Sequence, residues 1–252
     1  MNDLTDKWIA DRDILQFPDH TVNSGDGPYY SACFSSLKRE FCFARFMAYE
    51  GMHEIHPSYE NEKLFLVNTL DFVRYSGSVE KIKTAFRVSF SVLDSIAFLM
   101  NSYFSCEAKK VSFSSRWIKD HFKNKESNYF IDALYWLACD LTDNQDLTGD
   151  RTKWKAPNPS AAEIREIRNA IEHSWLRVAE PHRPAWNVTS DFAHLVTPDE
   201  LEKQTLFVLK LVRAAMFYLS MAVSYNERNK PDSDSLIATM PVFMVDDDLV
   251  SY

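Results

Sequence analysis

The sequence predicts an all-α protein, a bundle of about six or seven helices with long antiparallel core helices. Only five of the 252 residues are glycine, which leaves few positions for tight hairpin turns. Apolar residues recur at helical spacing in several long stretches, and no strand-rich block or internal repeat is visible. Apolar residues make up 46% of the chain, so the bundle has enough material for a substantial core.

The N-terminal half predicts three helices. Residues 1–28 are polar and end in the breaker "NSGDGP". The first helix follows at 30–49 and ends near Gly51, and the second is predicted at 58–77 between a serine cap and a glycine. The third, at 78–104, has the longest clean apolar periodicity and carries an interrupting acid, Asp94.

The C-terminal half predicts four more helices. "SSRWIKDHF" and "NYFIDALYWLACDL" form two of them, and the second is apolar enough to be buried. A third is predicted at 160–178. The last runs over 199–226 and begins at Thr197 followed by proline, a favoured helix start.

These elements predict three regions. Residues 1–58 form an N-terminal extension with one helix packed on the bundle, and residues 59–228 form the helical domain. Residues 229–252 form a tail that mixes acidic and apolar residues and is suited to docking or to binding a partner.

Charge and targeting signals restrict the class of protein. The formal net charge of −8 argues against general affinity for nucleic acid or anionic membrane. The start "MNDLTDKWIADRD" has no apolar core of a signal peptide, and the apolar runs are predicted to be too short to span a membrane. The four cysteines form no C-x-x-C pair and are expected to be reduced core thiols: Cys33, Cys42, Cys106 and Cys139. We expect a cytoplasmic protein that does not associate with membranes.

The stretch "RNAIEH" (168–173) lies in the predicted helix at 160–178. Ser160 and Glu163 have the spacing of a capping box at its start. Five apolar residues fall on one arc and predict a buried stripe: Ile164, Ile167, Ile171, Trp175 and Val178. Leu176 falls in the middle of the opposite, polar arc, which predicts that a second subunit covers this face.

Arginine and histidine occur five residues apart at three places, so this spacing alone is weak evidence. "RVAEPH" contains a proline that breaks the helix before the histidine. "RWIKDH" has a bulky tryptophan after its arginine and is typical of a short surface helix. Only "RNAIEH" places a polar residue after the arginine within a long amphipathic helix.

This motif and its setting resemble the HEPN superfamily of helical ribonucleases and nucleotide-binding domains. The superfamily's signature is arginine, then usually asparagine, histidine or aspartate, then three variable residues and histidine, on a late helix of an α-bundle. "RNAIEH" fits each position, and the long helices on both sides of it fit the bundle. The resemblance covers roughly residues 60 to 228.

The resemblance implies a metal-independent endoribonuclease whose cleft is built from the motifs of two identical subunits. His173 would be the acid or base, Arg168 would clamp the phosphate, and Asn169 would orient the histidine or bind phosphate. The 2′-OH of RNA would be the nucleophile, and the products would be a 2′,3′-cyclic phosphate or 3′-phosphate and a 5′-hydroxyl end. Superfamily members often place an acidic or polar residue near the cleft from an adjacent helix, and Asp94 is the candidate. No cofactor and no metal are implied.

Local charge gives modest support to this interpretation. From 151 to 185 there are seven Lys or Arg and four acids, a net of 7 − 4 = +3. Four of these basic residues are predicted to contact substrate: Arg165, Arg177, Lys153 and Lys155. Trp154 lies among them and is a candidate base-stacking platform, although packing is the more frequent role for tryptophan.

Other interpretations stay open at this point. The motif can be a surface Arg168–Glu172 pair with an incidental histidine, and Asp94 can be a buried acid satisfied by a neighbouring helix. The chain can bind nucleotide or RNA without cleaving it, or it can be a helical scaffold. The biological role implied by resemblance is a toxin or an antiphage defence effector, with an antitoxin or a regulatory protein as a further partner. "HEIH" (53–56) lacks the further ligands that a metal site needs.

Overall fold

The computed structural model describes residues 15–22, 27–53, 64–65, 73–122, 128–142, 158–180, 193–230 and 238–239. The helices within these ranges are α1 (Tyr29–Met52), α2 (Gly77–Tyr103), α3 (Ser115–Phe122), α4 (Tyr129–Cys139), α5 (Ala161–His173) and α6 (Pro198–Arg228). The strands are β1 (Thr21–Val22), β2 (Trp175–Val178), β3 (Ala193–Val196) and β4 (Ala238–Thr239). The all-α class is confirmed, since the strands form only two short pairs.

Helices α1, α2 and α6 pack together at the centre of the bundle. The apolar face of α2 is almost fully buried, with Phe86, Ile96 and Met100 inaccessible to solvent. Gly51 does not end α1 as predicted, because the helix continues to Met52. A Cβ atom at Gly51 would lie 2.6 Å from Cγ1 of Ile82 and 2.7 Å from the carbonyl oxygen of Ser78. The glycine therefore allows α1 to approach α2 closely.

Helix α6 is the longest element of the fold. Thr197 caps it by accepting a hydrogen bond from the backbone N–H of Glu200 at 3.2 Å, as the Thr-Pro start predicts. Within the described residues, α6 is the one helix long and apolar enough to cross a membrane, so the expectation that the apolar runs fall short of a span is wrong for it. Core helices pass the same test, and half of the apolar window is buried against the rest of the fold.

The helix that carries "RNAIEH" is shorter than predicted. It ends at His173, where Ser174 leaves the helical region with φ −145° and ψ −139°. The next four residues form β2, which pairs in parallel with β3, and Leu176 lies opposite His194. Leu176 is buried within the chain and Trp175 is 63% exposed. Both placements are the reverse of the prediction, so Leu176 gives no reason to expect a covering subunit.

The predicted helix at 58–77 falls mostly outside the described residues. Its described parts, 64–65 and 73–76, are not helical, and Val73 forms an isolated antiparallel bridge with Ala179. Ser76, rather than Ser78, caps α2 by accepting a hydrogen bond from the backbone N–H of Val79 at 3.4 Å.

Two expectations about burial also need correction. Helix α4 is only partly buried, since Tyr129 and Trp136 are more than half exposed. The cysteines are free thiols but not all of them lie in the core, because Cys33 and Cys42 are exposed. Only Cys139 is buried, and burial raises the pKa of its thiol.

Candidate functional site

An open cleft of about 650 Å³ lies between one face of α2 and one face of α5. On each helix the lining residues recur three or four positions apart, which is the spacing of a single helical face. Helix α2 contributes Arg87, Phe90, Ser91, Asp94, Ser95 and Phe98. Helix α5 contributes Arg165, Arg168, Asn169, Glu172 and His173.

The structure thus brings five of the predicted site residues into one cleft: Arg168, Asn169, His173, Arg165 and Asp94. The lining contains three arginines and two carboxylates, a net of 3 − 2 = +1 without the histidine. The whole chain has a formal charge of −8. The cleft is therefore a locally positive site on an acidic protein, which suits an anionic ligand.

Arg168 is held in place from two directions. Its Nη2 donates to Oδ2 of Asp94 at 3.1 Å, and its guanidinium carbon lies 4.5 Å from the centre of the Phe90 ring. A guanidinium over an aromatic face is attracted by the ring quadrupole. The side chain still exposes 42% of its surface, so it is fixed in direction and remains accessible to a ligand.

Asp94 connects three parts of the chain. Its Oδ2 accepts from Arg168, and its Oδ1 accepts from the backbone N–H of Phe113 at 3.1 Å. This carboxylate sits on α2 at the edge of the cleft and is only partly exposed. Both interpretations of Asp94 from the sequence describe part of its position: it lines the cleft and it is satisfied by neighbouring elements.

Arg87 joins α2 to the last turn of α5. Its Nε lies 3.1 Å from Oε1 of Glu172, and its Nη2 donates to the carbonyl oxygen of Ile171 at 2.9 Å. The surface pair proposed between Arg168 and Glu172 is not the one observed, because each residue pairs with α2 instead.

His173 is the final residue of α5 and is exposed, as is Asn169 one turn before it. Among the described residues, His173 has no hydrogen-bond or ion-pair partner. On an α-helix, five residues correspond to about 7.5 Å of rise and about 140° of rotation, so His173 and Arg168 lie apart along the cleft. The imidazole is available to a ligand or to a second protein chain.

The start of α5 differs from the predicted capping box. Ser160 occupies the N-cap position with no side-chain cap hydrogen bond, and Oδ1 of Asn158 accepts from its backbone N–H at 3.0 Å. Glu163 bonds instead to Nε2 of His194 on β3 at 3.1 Å. The carboxylate therefore fixes α5 to the small strand pair.

Among the remaining predicted contacts, one lies within the described residues and does not line this cleft. Arg177 lies in β2 beyond the end of α5 and is absent from the lining. Lys153, Lys155 and Trp154 lie outside the described residues. Phe90, Arg87 and Phe98 line the cleft but are not predicted as site residues; their only signal in the sequence is that they share a helical face with Asp94.

The competing Arg–His pairs are in other settings. Nδ1 of His121 donates to the carbonyl oxygen of Trp117 at 2.9 Å, and the imidazole ring stacks on that tryptophan. His182 and His56 fall outside the described residues. Within the described ranges, no three His, Cys, Asp or Glu side chains form a group that could hold a metal ion.

The comparison with family models finds one match, to the LA2681-like HEPN family, over residues 21–226. The match covers most of the chain and includes α1 through nearly all of α6, so the protein belongs to this family. No curated protein and no solved structure matches the chain. HEPN domains are often ribonucleases, and this makes nuclease or RNA-binding chemistry the general class.

Proposed function

We propose that this protein is a metal-independent endoribonuclease that cleaves RNA through attack by the 2′-OH. The observation that carries the proposal is the convergence of Arg168, Asn169 and His173 on one positive, open cleft. Arg168 is already directed by Asp94 and Phe90, so binding a phosphate does not require ordering a free side chain.

The chemistry follows from these side chains. The 2′-oxygen of the substrate forms a bond to phosphorus while the bond from phosphorus to the 5′-oxygen breaks. A base takes the proton of the 2′-OH and an acid gives a proton to the leaving 5′-oxygen. Histidine is the side chain that most often does both at neutral pH. Arg168 donates to the phosphate oxygens and stabilises the charge that develops on them.

One histidine per cleft supplies one of the two proton transfers. A homodimer in which two such clefts meet would place a second His173 beside the first, so that one acts as base and the other as acid. The exposed position of His173 at the end of α5 supports this arrangement. We therefore propose a composite site between two identical subunits in a cytoplasmic protein.

The biological role we propose is a toxin or antiphage defence effector, restrained by an antitoxin or another regulatory protein. This role rests on family membership and on the danger of an unrestrained ribonuclease to its own cell.

The rival function is binding of RNA or nucleotide without cleavage. It is favoured by one observation: among the described residues, nothing orients the imidazole of His173. A general acid or base is usually held by a hydrogen bond to its other ring nitrogen.

Cleavage of single-stranded RNA in the presence of EDTA separates the two functions. We expect fragments with 5′-hydroxyl ends, which polynucleotide kinase labels without prior phosphatase treatment. The same rate is expected with and without EDTA. Loss of cleavage in EDTA with recovery in manganese would overturn the mechanism, and binding without any cleavage would favour the rival.

A further inference from the structure

A second cavity, of about 290 Å³, adjoins the cleft. It is enclosed by residues of α2, α3, α4 and α5 together with the segment that precedes α3. Phe90, Arg165 and Arg168 line both cavities. The two guanidinium groups and the phenyl ring therefore form a wall that separates two neighbouring spaces.

The charged residues that line this second cavity are all arginines: Arg116, Arg165 and Arg168. Each arginine pairs with a carboxylate outside the lining. Asp120 lies 3.9 Å from Nε of Arg116, Glu166 lies 3.6 Å from Nη2 of Arg165, and Asp94 lies 3.1 Å from Nη2 of Arg168. The pair of Arg116 with Asp120 is exposed and loosely spaced, and such a pair contributes little. The cavity thus concentrates positive charge without an acid inside it.

The hydroxyl groups at the base of the cavity are engaged with the protein. Thr142 donates its hydroxyl proton to the carbonyl oxygen of Ala138 at 2.7 Å. Ser115, whose Oγ lies 3.1 Å from that of Thr142, must then be the donor between the two. The recognition of any ligand falls to the arginines, whose planar forks suit the oxygens of a phosphate.

We propose that this cavity binds a second phosphate of the same RNA strand, next to the phosphate held in the cleft. The inference rests on the proposed function for the first phosphate. Consecutive phosphates of one strand require adjacent positive sites, and the shared wall of Arg165 and Arg168 provides that adjacency. Arg116, which belongs to no HEPN signature position in the sequence, is the residue specific to the second site.

The test measures how RNA affinity depends on salt. Each phosphate contact to a single strand contributes about −0.7 to the slope of log affinity against log salt. The probe is a short, fluorescently labelled 2′-O-methyl RNA, which has the same phosphates but no free 2′-OH and is not cut by the proposed route. We expect Arg116→Gln to make the slope shallower by about 0.7. When the salt is raised from roughly 50 to 200 mM, the factor by which affinity falls should therefore be about 2.6 times smaller for the variant than for the wild type.

Two variants provide controls. Arg116→Lys keeps the charge and should keep the wild-type slope. Arg213→Gln removes the same charge from an exposed position on α6 outside both cavities, and it should also leave the slope unchanged. A slope in Arg116→Gln equal to that in Arg213→Gln overturns the proposal, as does a wild type that does not bind the probe.

A free phosphate compound offers the arginines the same oxygens as the RNA backbone does. A second measurement therefore distinguishes a free phosphate ligand from RNA. The thermal unfolding of wild type and Arg116→Gln is followed with added inorganic pyrophosphate. Stabilisation that disappears in Arg116→Gln while the RNA slope is unchanged would overturn the assignment to RNA and indicate a free ligand. Cleavage of unmodified RNA is measured alongside: a slope that depends on Arg116 without cleavage retains the phosphate site and rejects the nuclease.

Discussion

Nη2 of Arg168 on α5 donates to Oδ2 of Asp94 on α2 at 3.1 Å, across 74 positions of sequence. The same carboxylate accepts the backbone N–H of Phe113 through its other oxygen. The ion pair therefore directs the guanidinium into the cleft and ties the two helices that form the cleft walls. Asp94 also competes with a bound phosphate, because both accept hydrogen bonds from the guanidinium of Arg168.

Asp94→Asn tests both effects at one position. The amide oxygen can still accept from Phe113, but the negative charge beside Arg168 is gone. We expect KM for RNA to fall because the competing charge is removed, and kcat to fall about tenfold because Arg168 is less firmly directed. Steady-state cleavage rates give both constants. An unchanged kcat would show that the ion pair does not position Arg168 for the reaction.

Arg168→Ala and His173→Ala should each reduce cleavage by about 10²–10⁴-fold. Both side chains are outside the core, so the far-UV circular dichroism and the midpoint of thermal unfolding should stay close to those of the wild type. Asn169→Ala is expected to have an intermediate effect, because the proposed function gives Asn169 a contact with the phosphate and no proton transfer. The measurement is single-turnover cleavage of labelled RNA.

His121→Ala is the matched control for His173→Ala. It removes an imidazole from another helix, where the ring stacks on Trp117 outside the cleft. Its cleavage rate should remain within about twofold of the wild-type rate. Full activity in His173→Ala would reject the nuclease function and favour a binding module.

The sequence was sufficient for the parts of the fold that depend on local signals. The Thr197–Pro198 start of α6 and the apolar periodicity of α2 predict these helices to within a few residues. The start of the motif helix is also predicted correctly, although its end is not, and its polar face defines one wall of the cleft. On the opposite wall, Asp94 is the one residue that the resemblance implies. The contacts of Arg168 with Asp94 and Phe90 could not be predicted, because they depend on how α2 and α5 pack.

The end of α5 is a second feature that could not be predicted from the sequence. Trp175 and Val178 continue the helical spacing of the preceding isoleucines, and neither glycine nor proline occurs between them and the motif. The four residues of β2, Trp175–Val178, also alternate in burial along the strand. The choice between the two is made by pairing with β3 at 193–196, a distant segment that local periodicity does not reveal.

Substitutions of Leu176 and Trp175 test whether α5 ends at His173. Leu176 is buried beneath the strand pair and Trp175 is exposed. Leu176→Ala should therefore lower the free energy of unfolding by about 2–5 kcal/mol, and Trp175→Ala should change it by about 0.5 kcal/mol or less. Urea denaturation of the two variants measures this difference. The opposite order would indicate that the helix continues to Val178.

The hydrogen bonds of Glu227, near the end of α6, predict how the free energy of unfolding depends on pH. Burial raises the pKa of Glu227, but hydrogen bonds from Lys230, Tyr103 and Thr21 outweigh it and hold that pKa below its usual value. A depressed carboxyl pKa contributes stability above the unfolded value, which is 4.5, and that contribution is lost as the pH falls through the folded pKa.

We therefore expect the free energy of unfolding to decrease as the pH falls below about 4.5. Glu227→Gln should be less stable than the wild type at pH 7, because it loses the ion pair with Lys230. The two proteins should become more alike in acid. Urea denaturation across this pH range is the measurement, and a constant difference between the two proteins would contradict the argument.

Mixing two inactive variants tests whether the site is shared between subunits. A homodimer of Arg168→Ala lacks both arginines, and a homodimer of His173→Ala lacks both histidines. A heterodimer of the two retains one of each. It lacks one of the two proton transfers, so in a composite cleft we expect a cleavage rate well below that of the wild type but above that of either homodimer. The heterodimer is isolated by co-expressing the variants with different tags and purifying on both tags in turn.

The control pairs Arg168→Ala with a chain carrying both substitutions, which leaves no Arg168 in the complex and should remain inactive. A heterodimer that is no faster than either homodimer would contradict a site shared between subunits. A monomeric mass of the wild type by light scattering would exclude the shared site altogether.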